Sequence, residues 1–345
     1  MTQNAPLLPT TVIGSHALPS WLWLAREAMA QERMGQTDIE ETLEDATRIA
    51  IADQVEAGVD LITDGEMRRV NFIVGFYGRL TGLKFGPPAR RLGAPHWDTE
   101  QRMTAQEKLQ APEGLGIIQD FRLAKRLTAR PLKATCPGPV TLSVPIRLGA
   151  AYRSRANLIG DLVPIVNREL RGLVEAGAQV IQIDEPNYNM LGEGDPREWI
   201  EAFNAAVQGV NADIHLHICF GNLNSKPFAA PRQYARLFPH VLQARARRLV
   251  LEFASREMAE VDLLCKHGAD QELGLGVIDV KAYRAETPEE VAGRIRRALE
   301  VMPVEKLAIN PDCGFWDTPR WIARRKLKAM VEGARIVRQE LQGRP

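Results

Sequence analysis

A chain of 345 residues with 45% hydrophobic and 25% charged side chains can bury a large core and carries no compositional mark of disorder. Its formal net charge of +1 provides no global field to recruit nucleic acid or a membrane surface. The start, Met1-Thr-Gln-Asn-Ala-Pro-Leu-Leu-Pro9, lacks a basic segment followed by an apolar run, and no later stretch approaches the roughly 20 apolar residues that span a bilayer. A cytoplasmic protein without nucleic-acid or membrane partners is expected.

Four widely spaced cysteines point to reduced thiols used as ligands or buried, rather than to a disulfide framework. Cys136 reads as core filler and Cys265 as a packed helix residue.

Taken in order, the chain repeats a strand-then-helix rhythm. Thr10-Thr-Val-Ile-Gly14 is a β-branched run ending in glycine, and residues 39–57 have helical periodicity closed by Gly58. Val59-Asp-Leu-Ile-Thr63 opens a second unit, whose helix is delayed by an excursion over about residues 68–112, rich in Pro, Gly and Arg around Gly86 to Pro95. A connection of that length reads as a functional loop or hairpin. Leu132-Lys-Ala-Thr135 with a helix over 158–176 is the third unit, and Val180-Ile-Gln-Ile-Asp184 with a helix over 199–210 is the fourth. The strand 215–219 precedes a helix over 231–244, and the strand 249–253 a helix over 258–267. Leu273 to Asp279 leads to a helix whose start, Thr287-Pro-Glu-Glu290, reads as a capping box. Lys306 to Asn310 and a helix over 318–341 complete the eighth unit.

Eight such units predict an α/β fold, a (β/α)8 TIM barrel formed by residues 1–345 as a single domain with a long excursion after the second strand. An open doubly wound sheet would want a glycine-rich fingerprint after the first strand, and Gly14-Ser-His-Ala-Leu18 is not one.

Polar side chains cluster where such a barrel builds its active site, at the carboxyl ends of the strands. They are Gly14-Ser-His16, Asp64-Gly-Glu66, Asp184-Glu-Pro186, His217-Ile-Cys219, Glu252, Asp279-Val-Lys281 and Asp312-Cys-Gly314. Residues two apart on a strand share a face, so His217 and Cys219 bring an imidazole and a thiol to one point, half of a zinc site. Glu252 and Cys313, at the ends of the sixth and eighth strands, can supply the other half. Each group also has a plainer use. A strand histidine such as His215 is usually satisfied in the core, Asp184 and Glu185 can cap a helix, and Glu66 can serve only its turn. The six tryptophans read mostly as packing, although Trp316 follows Cys313 closely enough to line the mouth.

Thr11-Val-Ile-Gly-Ser15, Asp64-Gly-Glu66, Gly138-Pro-Val-Thr141, Ile181-Gln-Ile-Asp-Glu-Pro186, His217-Ile-Cys219 and Asn310-Pro-Asp-Cys-Gly314 together resemble the catalytic barrel of cobalamin-independent methionine synthases, in order and over roughly residues 10–340. The resemblance implies zinc bound by His217, Cys219, Glu252 and Cys313. It implies homocysteine held by the backbone of Ile13 to Ser15 and by Glu66 and Asp184, with Glu185 beside them. Two thiolates, a carboxylate and a neutral imidazole make a zinc centre too electron-rich to activate water and suited to holding a reactive thiolate.

Departures from the family pattern concern the methyl donor. The folate-using enzymes carry a second, N-terminal barrel, and this chain opens at the catalytic one. Where they place a tryptophan after G-P-V-T, this chain has Leu142-Ser-Val-Pro145; where they place a histidine after the seventh strand, it has Lys281, two residues beyond Asp279. Asp279 and Lys281 are therefore the catalytic candidates on the donor side, Lys281 acting as an acid if burial lowers its pKa or binding an anionic group. The donor stays open between a folate and a corrinoid, the latter with a helper protein. Two other readings stay open as well: an alkyltransferase for another thiol, of the epoxyalkane:coenzyme M transferase type, and a non-catalytic zinc- or thiol-binding protein. A carboxylate ligand beside substrate-type carboxylates speaks against the last.

Overall fold

The computed structural model describes residues 6–69, 74–87, 89–90, 99–100, 102–189, 194–221 and 232–343. Six strands, Lys133–Pro137, Val180–Asp184, Asp213–Ile218, Arg248–Leu251, Glu272–Ile278 and Leu307–Pro311, lie side by side in chain order and pair in parallel throughout. Nearly every residue in them is buried. That is the condition of a parallel sheet covered on both faces, and it explains why these strands read as short apolar runs.

The first two expected strands are present as single parallel bridges, Thr10 with Ile309, Thr11 with Leu61, and Ile62 with Leu132. Thr11 N donates to Ile309 O (2.8 Å), Leu61 N to Thr10 O (3.0 Å) and Lys133 N to Ile62 O (2.8 Å), so these segments run from the last strand of the sheet round to its first. Eight segments thus make the ring. Hydroxyls supplement the sparse ladder, Thr11 Oγ1 donating to Leu61 O and Thr63 Oγ1 to Gly14 O, each at 2.8 Å.

The helices Gln36–Ala57, Arg155–Glu175, Pro288–Leu299 and Arg320–Leu341 lie close to their expected ranges. Gly58 closes the first at φ 85°, a left-handed position that strains any residue with a Cβ. The expected capping box is formed, with Thr287 Oγ1 accepting from Glu290 N and Glu290 Oε2 from Thr287 N.

Other crossings are shorter than their sequences suggest. The fourth helix is Pro196–Ala206 rather than 199–210. In the segment expected to be helical over 231–244, Pro231 lies outside the described residues, and the rest contains one turn, His240–Gln243, because Pro239 has no N–H to give a helix. The sixth helix shrinks to Leu263–Lys266, since Glu257, Met258 and Glu260 occupy positive φ of 53°, 64° and 63°. Cys265, expected to pack, is exposed there, whereas Cys136 is buried as expected.

The excursion after the second strand contains a hairpin, Thr81–Phe85 antiparallel to Met103–Gln110, which Ile146–Leu148 extends in parallel. Residues 91–98, including Pro95 and Trp97, lie outside the described residues. One continuous apolar cluster fills the space between the sheet and its helices. A smaller one, Leu18, Leu22, Ala46, Ala50 and Met67 with Trp316 against it, seats the helix Ser20–Ala30 on the helix Gln36–Ala57 and on the loops after the second and eighth strands. No helix among the described residues is long and apolar enough to cross a membrane.

Candidate metal centre

His217 is the next-to-last residue of the fifth strand and Cys219 lies just beyond its end, and both are buried; Cys313, partly exposed, follows the eighth. The strand geometry does what the two-residue spacing requires, and the ring brings the third group in from the far side of the sequence. One donor atom from each of His217, Cys219 and Cys313 lies within 4.8 Å of the others, and the two Sγ atoms are 3.5 Å apart. The contact with Cys219 holds the Cys313 thiol below its ordinary pKa against the opposing effect of burial, and Cys219 itself is pushed well up, first by that contact and then by desolvation.

The expected fourth member, Glu252, is not in this trio. Its Oε2 accepts from Phe220 N (3.1 Å) and its Oε1 from Ser255 Oγ (2.5 Å), and Lys281 Nζ forms an ion pair with it. Lys281 is buried, which alone would lower its pKa, but Glu252 first, then Cys313, Asp312 and Cys219, raise it overall. The condition on which Lys281 could act as an acid, a pKa lowered by burial, is therefore not met: acidic neighbours outweigh desolvation, and the lysine binds an anionic group, Glu252, instead. Asp279 Oδ1 accepts from Lys281 N (2.9 Å), so its carboxylate serves the turn that carries the lysine.

Behind His217 runs a buried line of polar groups that the strand patterns contain. Nδ1 of His217 stands 2.8 Å from Asp184 Oδ1, and the same oxygen accepts from Gln182 Nε2 (2.6 Å). Gln182 Nε2 also donates to Ile13 O (2.9 Å), while its Oε1 accepts from Lys133 Nζ (2.6 Å). The Ile13 carbonyl and the Asp184 carboxylate can only accept, so they decide which way the Gln182 amide faces; Lys133, whose pKa burial lowers to about 7, meets the amide oxygen, and the amide in turn steadies Asp184. Facing a carboxylate, Nδ1 carries the proton, which leaves the Nε2 lone pair to turn towards a metal; Nε2 is buried and has no hydrogen-bond partner among the described residues. Burial pulls the His217 pKa down, but the hydrogen bond and charge of Asp184 raise it overall. Gln182→Leu and Lys133→Met are each expected to lower metal affinity by about 10–100-fold, the usual cost of losing a supporting partner. Competition with a chelating dye measures it, and unchanged affinity would mean that Asp184 needs no support.

On the opposite side, Gly65 (φ 70°) and Glu66 (φ 57°) form a left-handed turn that buries the Glu66 carboxylate under the first strand end. Ser15 Oγ donates to its Oε2, and Thr135 Oγ1 (2.7 Å) and Arg69 Nη1 (2.8 Å) donate to its Oε1. Desolvation raises its pKa in spite of Arg69. Ile13 is buried and offers its carbonyl to Gln182. Glu185, expected beside the substrate carboxylates, is turned instead to the start of the helix Pro139–Ser143, where Val140 N (3.1 Å) and Thr141 N (2.7 Å) bind one oxygen each. Burial pushes it up to about 8. Its plainer use as a helix cap is the one the geometry supplies. His215 is buried too, but neither ring nitrogen has a good partner, Asp213 standing 3.5 Å away, and desolvation lowers its pKa to about 3.

Sequence reasoning passed over Gln182, Lys133, Thr135, Arg69, Ser255 and the role of Asp312. Asp312 binds three successive backbone N–H groups, of Phe253 (3.0 Å), Ala254 (2.9 Å) and Ser255 (2.7 Å), and so fixes the loop after Glu252. A signal for two of them was present: Lys133 and Gln182 are polar residues inside buried strand runs, in phase with Thr135 and Asp184.

Residues 8–336 match the family model described as cobalamin-independent synthase, catalytic domain. A methionine synthase of Saccharolobus solfataricus is 38% identical over 338 residues, which span 98% of this chain and 97% of that one, and a methionine synthase of Sulfurisphaera tokodaii is 36% identical over 344 residues. Among solved structures, a B12-independent methionine synthase from a Shewanella species, in complex with selenomethionine, superposes with a TM-score of 0.84 at 27% identity, covering 98% of this chain and 99% of that one. With its parallel ring, its convergent His and Cys side chains and matches of this length, the chain belongs to the cobalamin-independent methionine synthase family and is a methyltransferase.

Proposed function

We propose that the protein is a zinc-dependent thiol methyltransferase that converts homocysteine to methionine. His217, Cys219 and Cys313 would hold the zinc, with Glu252 as an exchangeable fourth ligand. The observation that carries this reading is the buried, unpartnered Nε2 of His217 grouped with two cysteine sulfurs, a donor set of the kind zinc prefers. Zinc bound there would lower the pKa of an incoming thiol and keep it as a reactive thiolate.

The chain's own residues orient the amino acid. Asp184 uses Oδ1 for His217 and Gln182, and its Oδ2 makes no hydrogen bond among the described residues, so it suits an ammonium. Glu66 adds a second carboxylate, and the Ile13 to Ser15 backbone suits the substrate carboxylate. The Shewanella relative was solved with selenomethionine, an amino-acid selenoether analogous to the product proposed here. We assign no substrate role to Glu185 and place Asp279 and Lys281 on the donor side of the mouth, as supports rather than as acids. We further take residues 1–345 to work as one zinc-containing barrel in the cytoplasm.

The donor proposed is a methyl group on a corrinoid, free or delivered by a helper protein. A folate needs an acid for its leaving nitrogen and a surface for its pterin. Lys281 is committed to Glu252, and Leu142-Ser-Val-Pro145 offers no aromatic ring. Zinc-loaded protein is to be given homocysteine with methylcobalamin, with mono- and polyglutamyl methylfolate, or coenzyme M with an epoxide, and the thioether identified by mass spectrometry. Methionine formed faster from methylcobalamin is the expected result; equal or faster turnover with methylfolate alone overturns the donor assignment.

A further inference from the structure

We propose that Lys281 is a positioning residue that shares Glu252 with the metal, giving the carboxylate a prepared place to go when a thiol enters. The inference rests on the zinc reading above. Glu252 is fully buried, and a buried carboxylate released from a cation is costly unless another positive charge and hydrogen-bond donors receive it. All of these are in place. The Lys281 ammonium and Ser255 Oγ meet Oε1, and Phe220 N meets Oε2.

The three donors come from three different strand ends, and each is held independently. Asp279 fixes the backbone of Lys281, Asp312 clamps the loop that carries Ser255, and Tyr234 Oη accepts from Glu252 N (2.7 Å) while donating to Ile218 O (2.9 Å). The receiving site is thus held by hydrogen bonds of its own, apart from the trio of His217, Cys219 and Cys313. Of the four candidate ligands, His217 is tied back by Asp184, and the two cysteines offer thiolates that zinc holds more tightly than a carboxylate. Among the described residues, Glu252 is the one of the four that forms an ion pair with Lys281. With zinc bound, the exchange would replace one anion by another: Glu252 would pair with Lys281, the thiolate would take its position, and the thiol's proton would pass to solvent.

The test compares wild type with Lys281→Met, Lys281→Gln, Lys281→Arg, Glu252→Gln and the double variant Lys281→Met/Glu252→Gln. Zinc affinity of the metal-depleted protein is read by dye competition, and homocysteine affinity of the zinc-loaded protein by calorimetry. With its competing cation gone, Glu252 stays on the metal. Lys281→Met and Lys281→Gln should therefore bind zinc about tenfold or more tighter and homocysteine about tenfold or more weaker, the size of one charge-assisted hydrogen bond. Lys281→Arg should resemble wild type, and the double variant should lose both effects because no carboxylate remains to compete. Zinc affinity that is unchanged or weaker in both neutral variants overturns the proposal, as does a shift that persists in the double variant. Wild type that binds no zinc sinks the metal reading itself. Two neutral replacements, checked by thermal melting, guard against one that fails to fold.

Discussion

Cys219→Ser and Cys313→Ser are each expected to lose most of the metal, with zinc counted by atomic emission after purification without added metal. A serine hydroxyl stays protonated near neutral pH and is a hard, weak donor where cysteine offers a soft thiolate. The loss should exceed the roughly 10–100-fold that removing a supporting residue costs, because a primary ligand disappears. The substitution is nearly isosteric, so the buried surroundings of Cys219 need little repacking, and a near-native melting curve of the metal-free protein would confirm that the effect is one of ligation. The 3.5 Å approach of the two sulfurs makes them act as a unit, and either variant should fail nearly as badly as both together. Full zinc in both variants would falsify the assignment.

Asp184→Asn should damage two properties at once. The carboxylate is a candidate partner for the homocysteine ammonium, and losing a charge-assisted hydrogen bond of about 1.5–3 kcal/mol weakens binding by about tenfold to a hundredfold. The 2.8 Å contact with His217 Nδ1 adds the second effect, because an uncharged amide holds the imidazole less firmly and can present an N–H to it. Zinc affinity should also fall, by about 10–100-fold, so the content stays full only when zinc is saturating. Homocysteine binding is therefore to be measured on zinc-saturated protein. A variant that binds homocysteine normally but zinc weakly would confine Asp184 to supporting His217.

Much of this site could be read along the chain because its groups follow local rules. The pair His217 and Cys219 needs only the two-residue period of a strand, and the capping box at Thr287 needs only four consecutive residues. The turn at Gly65 and Glu66 announces itself by its glycine. The repeat of eight strand and helix units was legible for the same reason, although two strands contract to single bridges and two helices to single turns where proline or left-handed residues interrupt them.

What the sequence alone determined, then, was the ring, the strand ends that face its mouth, and the three residues that gather there as His217, Cys219 and Cys313. Tertiary structure decided where each buried charge found its partner. Glu252 was legible as a candidate ligand but not as the partner of Lys281, 29 positions away, and Asp184 was legible as a candidate substrate group but not as the support of His217, 33 positions away. Glu185, adjacent to Asp184, points to the other side of its strand and caps a helix 44 positions back. A carboxylate has the same chemistry in each of these places. Its role is set by which cation or N–H group closure of the barrel brings to it, because burial makes an unpartnered charge too costly to leave.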